Sequence, residues 1–483
     1  MKRFCILLTA GIIAVTALAQ NNAHIHIFRN DRKFHTIKEK DFKEMTFEDS
    51  QGDIPSIRIH HADGTTAHIA LTAIDSISFR PTGLPEFHVT LTDYPEWTEL
   101  QGEKEDVRAA TIYMEGNGMY DDLPLQEIEF RGRGNSTWYM PKKPYRFKMK
   151  KKTSVCGLPK AKTFALIANY IDNTLMRNAV ALWIADYLGM PFTNHSVPVK
   201  VYLNGVDKGQ YMLTEKIGIG TGSVDIDETK GILFELDVAL DEDFRFIYNF
   251  DDGHTLPVMV KDPDINELAA DDEVPGITDA GGYFGQWKAD FTKMADAITT
   301  RKPTESLRDV IDLESAVNFL LVNDICKNGE LCHPKSFYMY KESLGNDDLY
   351  HFGPVWDFDW AFTYYGAEGR PAEGAMLSGN GSYSGYTFLK FLFKNQEFRE
   401  LFKQKLNDFY TNGYPLLQQY MEKYAWTICP SAVENGIIWP SISDTWFSRE
   451  STYEFRKNYD TLKKWISDRL TFMLEDANFG LYE

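Results

Sequence analysis

The amino-acid sequence predicts an α+β fold of two lobes, preceded by a small β-rich module. Segments in which apolar and polar residues alternate, as in strands, come early in the chain, whereas long segments with apolar residues at helical spacing come late. A repeated pattern near the start distinguishes the module from the rest. With 483 residues, the chain is long enough for two or three domains with a sizeable core.

The first 19 residues have the pattern of a secretory signal peptide. Lys2 and Arg3 precede an apolar run from Ile6 to Val15, and the small residues from Ala17 to Ala19 suit a cleavage site. We therefore expect an exported protein, in the periplasm or at the cell surface, and no later stretch predicts a membrane span. The formal net charge of −19 disfavours a general role in nucleic-acid binding.

Residues 20–82 contain an internal repeat with an offset of 32 residues, as between Ile25 and Ile57. Each copy has the pattern of strand, turn, strand, short link and strand. Two copies are too few for a solenoid, so the pattern predicts a small β-rich module. Proline and glycine in residues 80–85 then predict a domain boundary, with the main domain spanning residues 83–483.

The main domain begins with predicted strands and ends with predicted helices. Strand patterns cover residues 87–91, 110–114, 126–131, 145–149, 197–203, 209–215 and 232–237. Helical patterns cover residues 173–188, 312–325, 387–424 and 453–475.

A glycine-rich segment, RGRGNST from Arg131 to Thr137, joins a predicted strand to a basic one. In the basic strand, Tyr145, Phe147 and Met149 alternate with cations, which predicts one buried face and one basic face. Glycines let backbone N–H groups approach phosphate oxygens, and arginines add forked donors. A hairpin turn beside a solvated strand is the alternative interpretation, but the two features together favour a phosphate site.

Residues 321–362 predict a helix end, a polar loop, a hairpin and an acidic pair, in that order. The loop is Asn328-Gly329-Glu330, and the pair is Asp357 and Asp359. A hairpin brings the far ends of its strands together, and residues two apart on a strand share a face. Paired carboxylates beside loop oxygens suit Mg²⁺. A structural, hydrogen-bonded acidic pair is the alternative interpretation.

Taken together, these segments resemble the spore-coat protein H (CotH) kinase family, a family of atypical bacterial protein kinases. The matching segments occur in the family's order over most of residues 86–475. They are RGRGNSTW at 131–138, KKPYRFK at 142–148, ANYIDNTLMRN at 168–178, VYLNG at 201–205, GQYMLTEKI at 209–217, FELD at 234–237, KNGELCHPKS at 327–336 and GPVWDFD at 353–359. The repeat module lies outside the resemblance.

The resemblance implies a divergent, protein-kinase-like fold that binds ATP and Mg²⁺ and phosphorylates Ser or Thr hydroxyl groups of secreted proteins. It implies that Asp357 and Asp359 hold the metal. It also implies that the loop with Asn328 and Glu330 supplies the group that accepts the hydroxyl proton.

The resemblance further implies a phosphate site on the glycine-rich turn and the basic strand. Lys148 would contact phosphates as the strand lysine does in protein kinases. Arg177 and Asn178 on the following helix would support that contact, and Glu215 would lie near the nucleotide edge. The remaining residues implied in phosphate binding are Arg131, Arg133, Gly134, Asn135, Ser136, Lys143 and Arg146.

The loop departs from the family pattern at one position. Many members have Asn-x-Asp there, whereas this chain has Asn328-Gly329-Glu330. The additional methylene of glutamate moves the carboxylate, and a misplacement of roughly 1 Å can lower a rate by about a hundredfold. The sequence therefore leaves two functions open: an exported kinase, or a catalytically degraded kinase-like domain that serves in binding or adhesion at the cell envelope.

Overall fold

The structure is a computed structural model. It describes residues 24–29, 34–38, 41–48, 55–80, 83–270, 277, 279–345, 347–363, 371–378, 384–440, 442–443, 448–449 and 455–475. The predicted signal peptide lies outside these residues. The chain separates into two compact units, one of residues 1–84 with 116–121 and the other of residues 85–115 with 122–483.

The first unit contains six strands in two three-stranded antiparallel sheets. The strands are β1 (His24–Arg29), β2 (Phe34–Lys38), β3 (Phe42–Glu48), β4 (Ser56–His61), β5 (Thr66–Ala70) and β6 (Ile74–Arg80). The sheet orders are β2-β1-β6 and β3-β4-β5, so the third strand of each repeat pairs with the first strand of the other. The register has the same offset as the sequence, because Ile25 faces Phe79 and Ile57 faces Phe47. Buried isoleucines from both repeats form one core.

The second unit begins with a closed barrel of seven strands in the order β10-β11-β13-β12-β7-β8-β9. The strands are β7 (Glu86–Leu91), β8 (Arg108–Glu115), β9 (Leu123–Gly132), β10 (Tyr145–Thr153), β11 (Ala161–Ile167), β12 (Val197–Leu203) and β13 (Val206–Glu215). Large side chains that alternate along the strands fill the interior, among them Phe87, Phe130, Tyr145, Phe147 and Phe164. Closure needs the parallel pairing of β7 with β12, which joins strands far apart in sequence.

A five-stranded antiparallel sheet follows, in the order β15-β16-β14-β17-β18. Its strands are β14 (Ile232–Leu236), β15 (Arg245–Asn249), β16 (Thr255–Asp262), β17 (Phe337–Lys341) and β18 (His351–Phe352). The helices of this unit are α1 (Arg177–Tyr187), α2 (Ile265–Ala270), α3 (Ala280–Thr300), α4 (Leu313–Cys326), α5 (Ser384–Phe393), α6 (Gln396–Asp408), α7 (Tyr414–Ile438) and α8 (Phe455–Leu474). Two short strands, β19 (Ile442–Ser443) and β20 (Ser448–Arg449), pair between α7 and α8.

One continuous apolar core joins α1, the five-stranded sheet and the later helices. Helix α4 lies at its centre, because every residue of α4 except Glu314 is buried. A helix buried on all sides has no amphipathic stripe and fixes its ends firmly against its neighbours. The end of α4 is therefore a rigid support for the loop that follows it.

The α+β class predicted from the sequence is confirmed, with the barrel early and most helices late. The closed barrel is a feature that the strand patterns did not predict, and the kinase-like, two-lobed arrangement stays a prediction. The helix predicted over residues 173–188 begins later, at Arg177, because Asp172 forms a turn by accepting hydrogen bonds from the backbone N–H groups of Thr174 and Arg177. No helix in the described ranges combines the length and apolar character that a membrane span requires.

The close approach of Gly132 to Trp138 gives a first testable prediction. A Cβ atom at Gly132 would overlap the Trp138 ring, so Gly132→Ala should lower the free energy of unfolding by about 1–3 kcal/mol through overpacking. The matched control is Gly285→Ala in α3, where a Cβ meets no atom, and it should be neutral or stabilising by up to about 1 kcal/mol. Urea denaturation followed by tryptophan fluorescence measures both, and equal midpoints for the two variants would contradict the prediction.

Candidate functional site

A cavity of about 330 Å³ lies in the second unit, between the outer surface of the barrel and the five-stranded sheet. One wall is formed by residues 133–137, which follow β9, and by the ends of β11 and β13. The opposite wall is formed by side chains of β14, β16 and β17, by the loop after α4, and by residues 356–360. Acidic and basic side chains from both walls face the same space.

Asp357 and Asp359 both line the cavity, and α1 fixes their position. The Asn178 amide donates to Asp359 Oδ1 at 2.8 Å, and its oxygen accepts from the Phe358 N–H at 2.9 Å. The Arg177 guanidinium donates to the Asp359 carbonyl oxygen at 3.0 Å. Arg177 and Asn178, expected to support a phosphate contact, therefore hold the acidic segment instead.

The acidic pair was expected at a strand end, with both side chains on one face by strand alternation. In the structure, β18 ends at Phe352, and Asp357 has a left-handed backbone with φ of 61°. Strand alternation therefore does not apply to the pair. Both carboxylates reach the cavity because the turn is held from α1 and from the loop after α4.

That loop is organised by Asn328, which is fully buried. Its side chain accepts from the Glu330 N–H at 3.2 Å and donates to the Asp357 carbonyl oxygen at 3.1 Å. Asn328 therefore joins the loop to the acidic segment without lining the cavity. Glu330 does line it, and no described residue donates a hydrogen bond to the Glu330 carboxylate.

Three cations face these acids. The Arg133 guanidinium lies 5.5 Å from the centre of the Trp356 ring, and Lys335 Nζ lies 4.0 Å from Asp237. Lys261 forms a 2.8 Å ion pair with Glu235, which also accepts a hydrogen bond from the Tyr338 hydroxyl. All of these side chains line the cavity.

The sequence analysis gave no role to Glu235, Asp237, Lys261 or Tyr338. A usable signal was present, because Glu235 and Asp237 are acids at alternating positions of an otherwise apolar strand. A buried carboxylate there needs a partner, and Lys261 on the neighbouring strand β16 supplies it.

Burial and mutual repulsion shift the cavity acids toward their neutral forms. Burial, and then the charge of Asp357, raise the pKa of Asp359 to about 7. Burial raises the pKa of Asp357 as well, although the Arg133 guanidinium opposes this. Burial, with Asp357 next, raises the pKa of Glu330 well above its usual range. A cation bound in the cavity would reduce this repulsion and favour the ionised forms of the acids.

This donor set fits Mg²⁺ when it is bound together with phosphate. Among the described residues, no three His, Cys, Asp or Glu side chains converge on one metal position. Mg²⁺ does not require such a cage, because it usually takes one or two carboxylates and completes its shell with water and phosphate oxygens. Asp357 and Asp359 are the carboxylates that would hold it.

The structure brings part of the predicted site together and leaves part outside. Arg133, Gly134, Asn135, Ser136, Glu330, Asp357 and Asp359 line the cavity. Lys143 does not, since its ammonium donates to the Trp138 carbonyl oxygen at 2.7 Å. Glu215 also lies elsewhere, paired with His195. Arg131 and Arg146 lie just outside the cavity lining.

Lys148 is the main correction to the predicted site. Its neighbours Phe147 and Met149 point into the barrel, so Lys148 points outward. It lies four residues beyond Pro144, the residue near the start of this strand that lines the cavity. There it pairs with Glu129 at 3.7 Å and is 47% exposed. The strand lysine thus does not reach the acids, and Arg133 and Lys335 are the cations whose charges act on Asp357 and Glu330.

The fold and the site together define a class of protein in which a barrel and an α/β part with many helices enclose a cavity. The cavity contains paired carboxylates, cations that face them and a glycine-rich turn. The family model described as CotH kinase protein matches residues 128–473, well over half of the chain. The chain therefore belongs to the CotH kinase family, and the resemblance found in the sequence is confirmed. The match begins in β9 and ends in α8, so it contains every residue that lines the cavity. Comparison with curated proteins gives no match.

The raised pKa of Asp359 predicts how stability depends on pH. Between the ordinary pKa of an aspartate and about 7, the folded protein holds a proton that the unfolded chain releases, so stability falls as the pH rises through this window. In metal-free buffer, the melting temperature should therefore increase as the pH is lowered from about 8 to about 5. Asp359→Asn should reduce this slope.

The control for this measurement is Asp227→Asn. The Asp227 carboxyl is exposed, and hydrogen bonds from Lys230 and Thr229 lower its pKa to about 2, so it titrates outside the window. This variant should keep the wild-type slope in differential scanning calorimetry. An unchanged slope in Asp359→Asn would contradict the assignment of the raised pKa to this group.

Proposed function

We propose that this protein is an exported kinase that binds ATP with Mg²⁺ in the cavity and transfers the γ-phosphate to a Ser or Thr hydroxyl of a secreted or envelope protein. One observation carries the proposal. The two carboxylates suited to hold a metal, a further carboxylate on a loop and three cations all line one cavity beside a glycine-rich turn. Membership of the CotH kinase family supports a kinase-like function. The signal-peptide pattern of the first 19 residues supports export.

The turn after β9 is suited to hold phosphate groups. Gly134 has a φ of 79°, and a Cβ atom there would overlap the Thr137 hydroxyl, so only glycine lets the turn close in this form. Asn135 and Ser136 lie on the exposed lip of the turn, where their backbone N–H groups and side chains can donate to phosphate oxygens. Arg133 adds a forked, permanently charged donor.

Asp357 and Asp359 would hold Mg²⁺ on the other side of the phosphates. The metal, when bound, neutralises charge on the β- and γ-phosphates and orients them for transfer. Asn178 keeps the Asp359 carboxylate in place, and Asn328 fixes the backbone at Asp357. Both amides are buried, so the acids are positioned before ligand arrives.

Glu330 is the group proposed to accept the hydroxyl proton. In the transfer, the acceptor oxygen forms a bond to the γ-phosphorus, the bond from that phosphorus to its bridging oxygen breaks, ADP leaves, and the proton moves to the Glu330 carboxylate. Once a bound cation favours its ionised form, a carboxylate whose pKa is raised by burial is a stronger base than a solvated one, which suits this task. Lys335 lies in the same loop, two residues after His333. It lines the cavity beside Glu330 and can offset the charge of the Glu330 carboxylate.

Removal of one carboxylate proposed to hold Mg²⁺ should weaken both phosphate transfer and nucleotide binding. We expect Asp359→Asn to lower Mg²⁺-dependent transfer by at least about a hundredfold, because a metal contributes several kcal/mol to stabilisation of the transition state. Isothermal titration with ATP and Mg²⁺ should show correspondingly weaker binding. Lys148→Ala is the matched control and should keep both properties, since Lys148 pairs with Glu129 outside the cavity. Equal loss in both variants would contradict the assignment.

Substitution of the proposed base tests catalysis apart from binding. Glu330→Gln should lower transfer of radiolabelled phosphate by about 10²–10⁴-fold and leave ATP affinity nearly unchanged. Glu330→Asp restores the family residue and shows whether the added methylene slows the enzyme. If neither the wild type nor Glu330→Asp transfers phosphate while ATP still binds, the protein is a kinase-like binding protein instead.

A further inference from the structure

The outward face of strands β9 and β10 carries charged residues in an ordered series that leads to the cavity. Farthest from the cavity, Lys150 pairs with Glu127, and nearer to it Lys148 pairs with Glu129. These rows follow the usual rule that opposite charges face each other across neighbouring strands. The next row breaks the rule, because Arg131 lies directly opposite Arg146.

Like charges directly opposite each other on neighbouring strands destabilise a sheet. Neither guanidinium group forms a hydrogen bond or an ion pair with any part of the chain that the structure describes. Burial, and then the charge of Arg131, lower the pKa of Arg146, and Glu129, the acid whose charge opposes this shift, is paired with Lys148. Two half-buried guanidinium groups thus have no ion pair of their own in a protein of net charge −19.

The arginine pair is continuous with the cavity. Arg133 follows Arg131 on the same face, and Pro144 precedes Arg146, and both Arg133 and Pro144 line the cavity. Arg133 N–H donates to the Pro144 carbonyl oxygen at 3.3 Å, so the ladder of β9 and β10 extends to the cavity edge. Two residues along a strand span roughly 7 Å, which sets the distance between neighbouring rows.

We propose that Arg131 and Arg146 form a second anion subsite, which binds an acidic group of the acceptor polypeptide next to the hydroxyl that is phosphorylated. The inference rests on the proposed kinase function and defines its substrate class: acceptors with a carboxylate or a phosphate within a few residues of the target hydroxyl. ATP phosphates held near Asp357 and Asp359 have Arg133, Lys261 and Lys335 in the cavity itself. The arginine pair therefore remains available for an anion outside it.

Peptide transfer assays test this specificity. Three serine peptides of equal length carry glutamine, glutamate or phosphoserine at positions flanking the target serine. Wild type should show kcat/KM at least about tenfold higher for the two acidic peptides, as expected for one added charge-assisted contact. Arg131→Gln with Arg146→Gln should remove that preference, mainly through KM for the peptide, and leave KM for ATP unchanged.

The control on the same strands is Lys148→Gln with Lys150→Gln, which removes the same amount of charge from rows that are already paired. It should keep the preference. A preference that persists without the arginines, or an arginine variant that instead raises KM for ATP, would overturn the inference. The glutamate and phosphoserine peptides distinguish the two sources: equal gains identify a general oxyanion site, and a gain with phosphoserine alone identifies a site for previously phosphorylated acceptors.

A binding measurement keeps this inference separate from the proposed function. Fluorescence anisotropy of labelled peptides, measured without nucleotide, should show tighter binding of acidic peptides to wild type than to the double arginine variant. If ATP neither binds nor donates phosphate but this difference is found, the proposed function fails and the anion subsite stands. If ATP transfer is found without any difference between peptides, the subsite fails and the kinase function stands.

Discussion

The second unit is built around carboxyl groups that are held close together in one cavity. Asp357, Asp359 and Glu330 repel one another, and burial makes their charged forms more costly still. Such an arrangement persists only when the surrounding structure determines it. Here two buried amides, Asn178 and Asn328, tie the acidic segment to α1 and to the end of α4. The large apolar core therefore supplies the stability that holds these mutually repelling carboxyl groups together.

The barrel contributes Arg133, one of the three cations that line the cavity. Its closure fixes the ends of β9 and β10 so that the glycine-rich turn and Arg133 face the acids across the cavity. The aromatic side chains of the same strands fill the barrel interior, which forces the charged side chains to the outside. One alternating pattern thus provides both the barrel core and a charged outer face that ends near Arg133 at the cavity. The proposed ligand, a triphosphate with Mg²⁺, would offer anionic oxygens to the cations and a cation to the carboxylates.

The sequence predicted that the loop with Glu330 and the pair Asp357 and Asp359 lie close together, and in the structure all three line one cavity. It misplaced Lys148 because alternation separates two faces of a strand without telling where along the outer face a cavity begins. Glu235 and Lys261 were missed for another reason: their pairing depends on the neighbouring positions of β14 and β16. Closure of the barrel through β7 and β12 likewise leaves no local signal, since it joins strands separated by about a hundred residues.

The exchange of third strands in the first unit has a consequence for how this region can be divided. Strand β3 completes the sheet of β4 and β5, and strand β6 completes the sheet of β1 and β2. Neither repeat therefore contains all the strands with which its own strands pair. Separating the two repeats would leave unpaired strand edges on both fragments, and unpaired strand edges promote aggregation. The two repeats therefore depend on each other for strand pairing. Any fusion protein or truncated variant must include both of them.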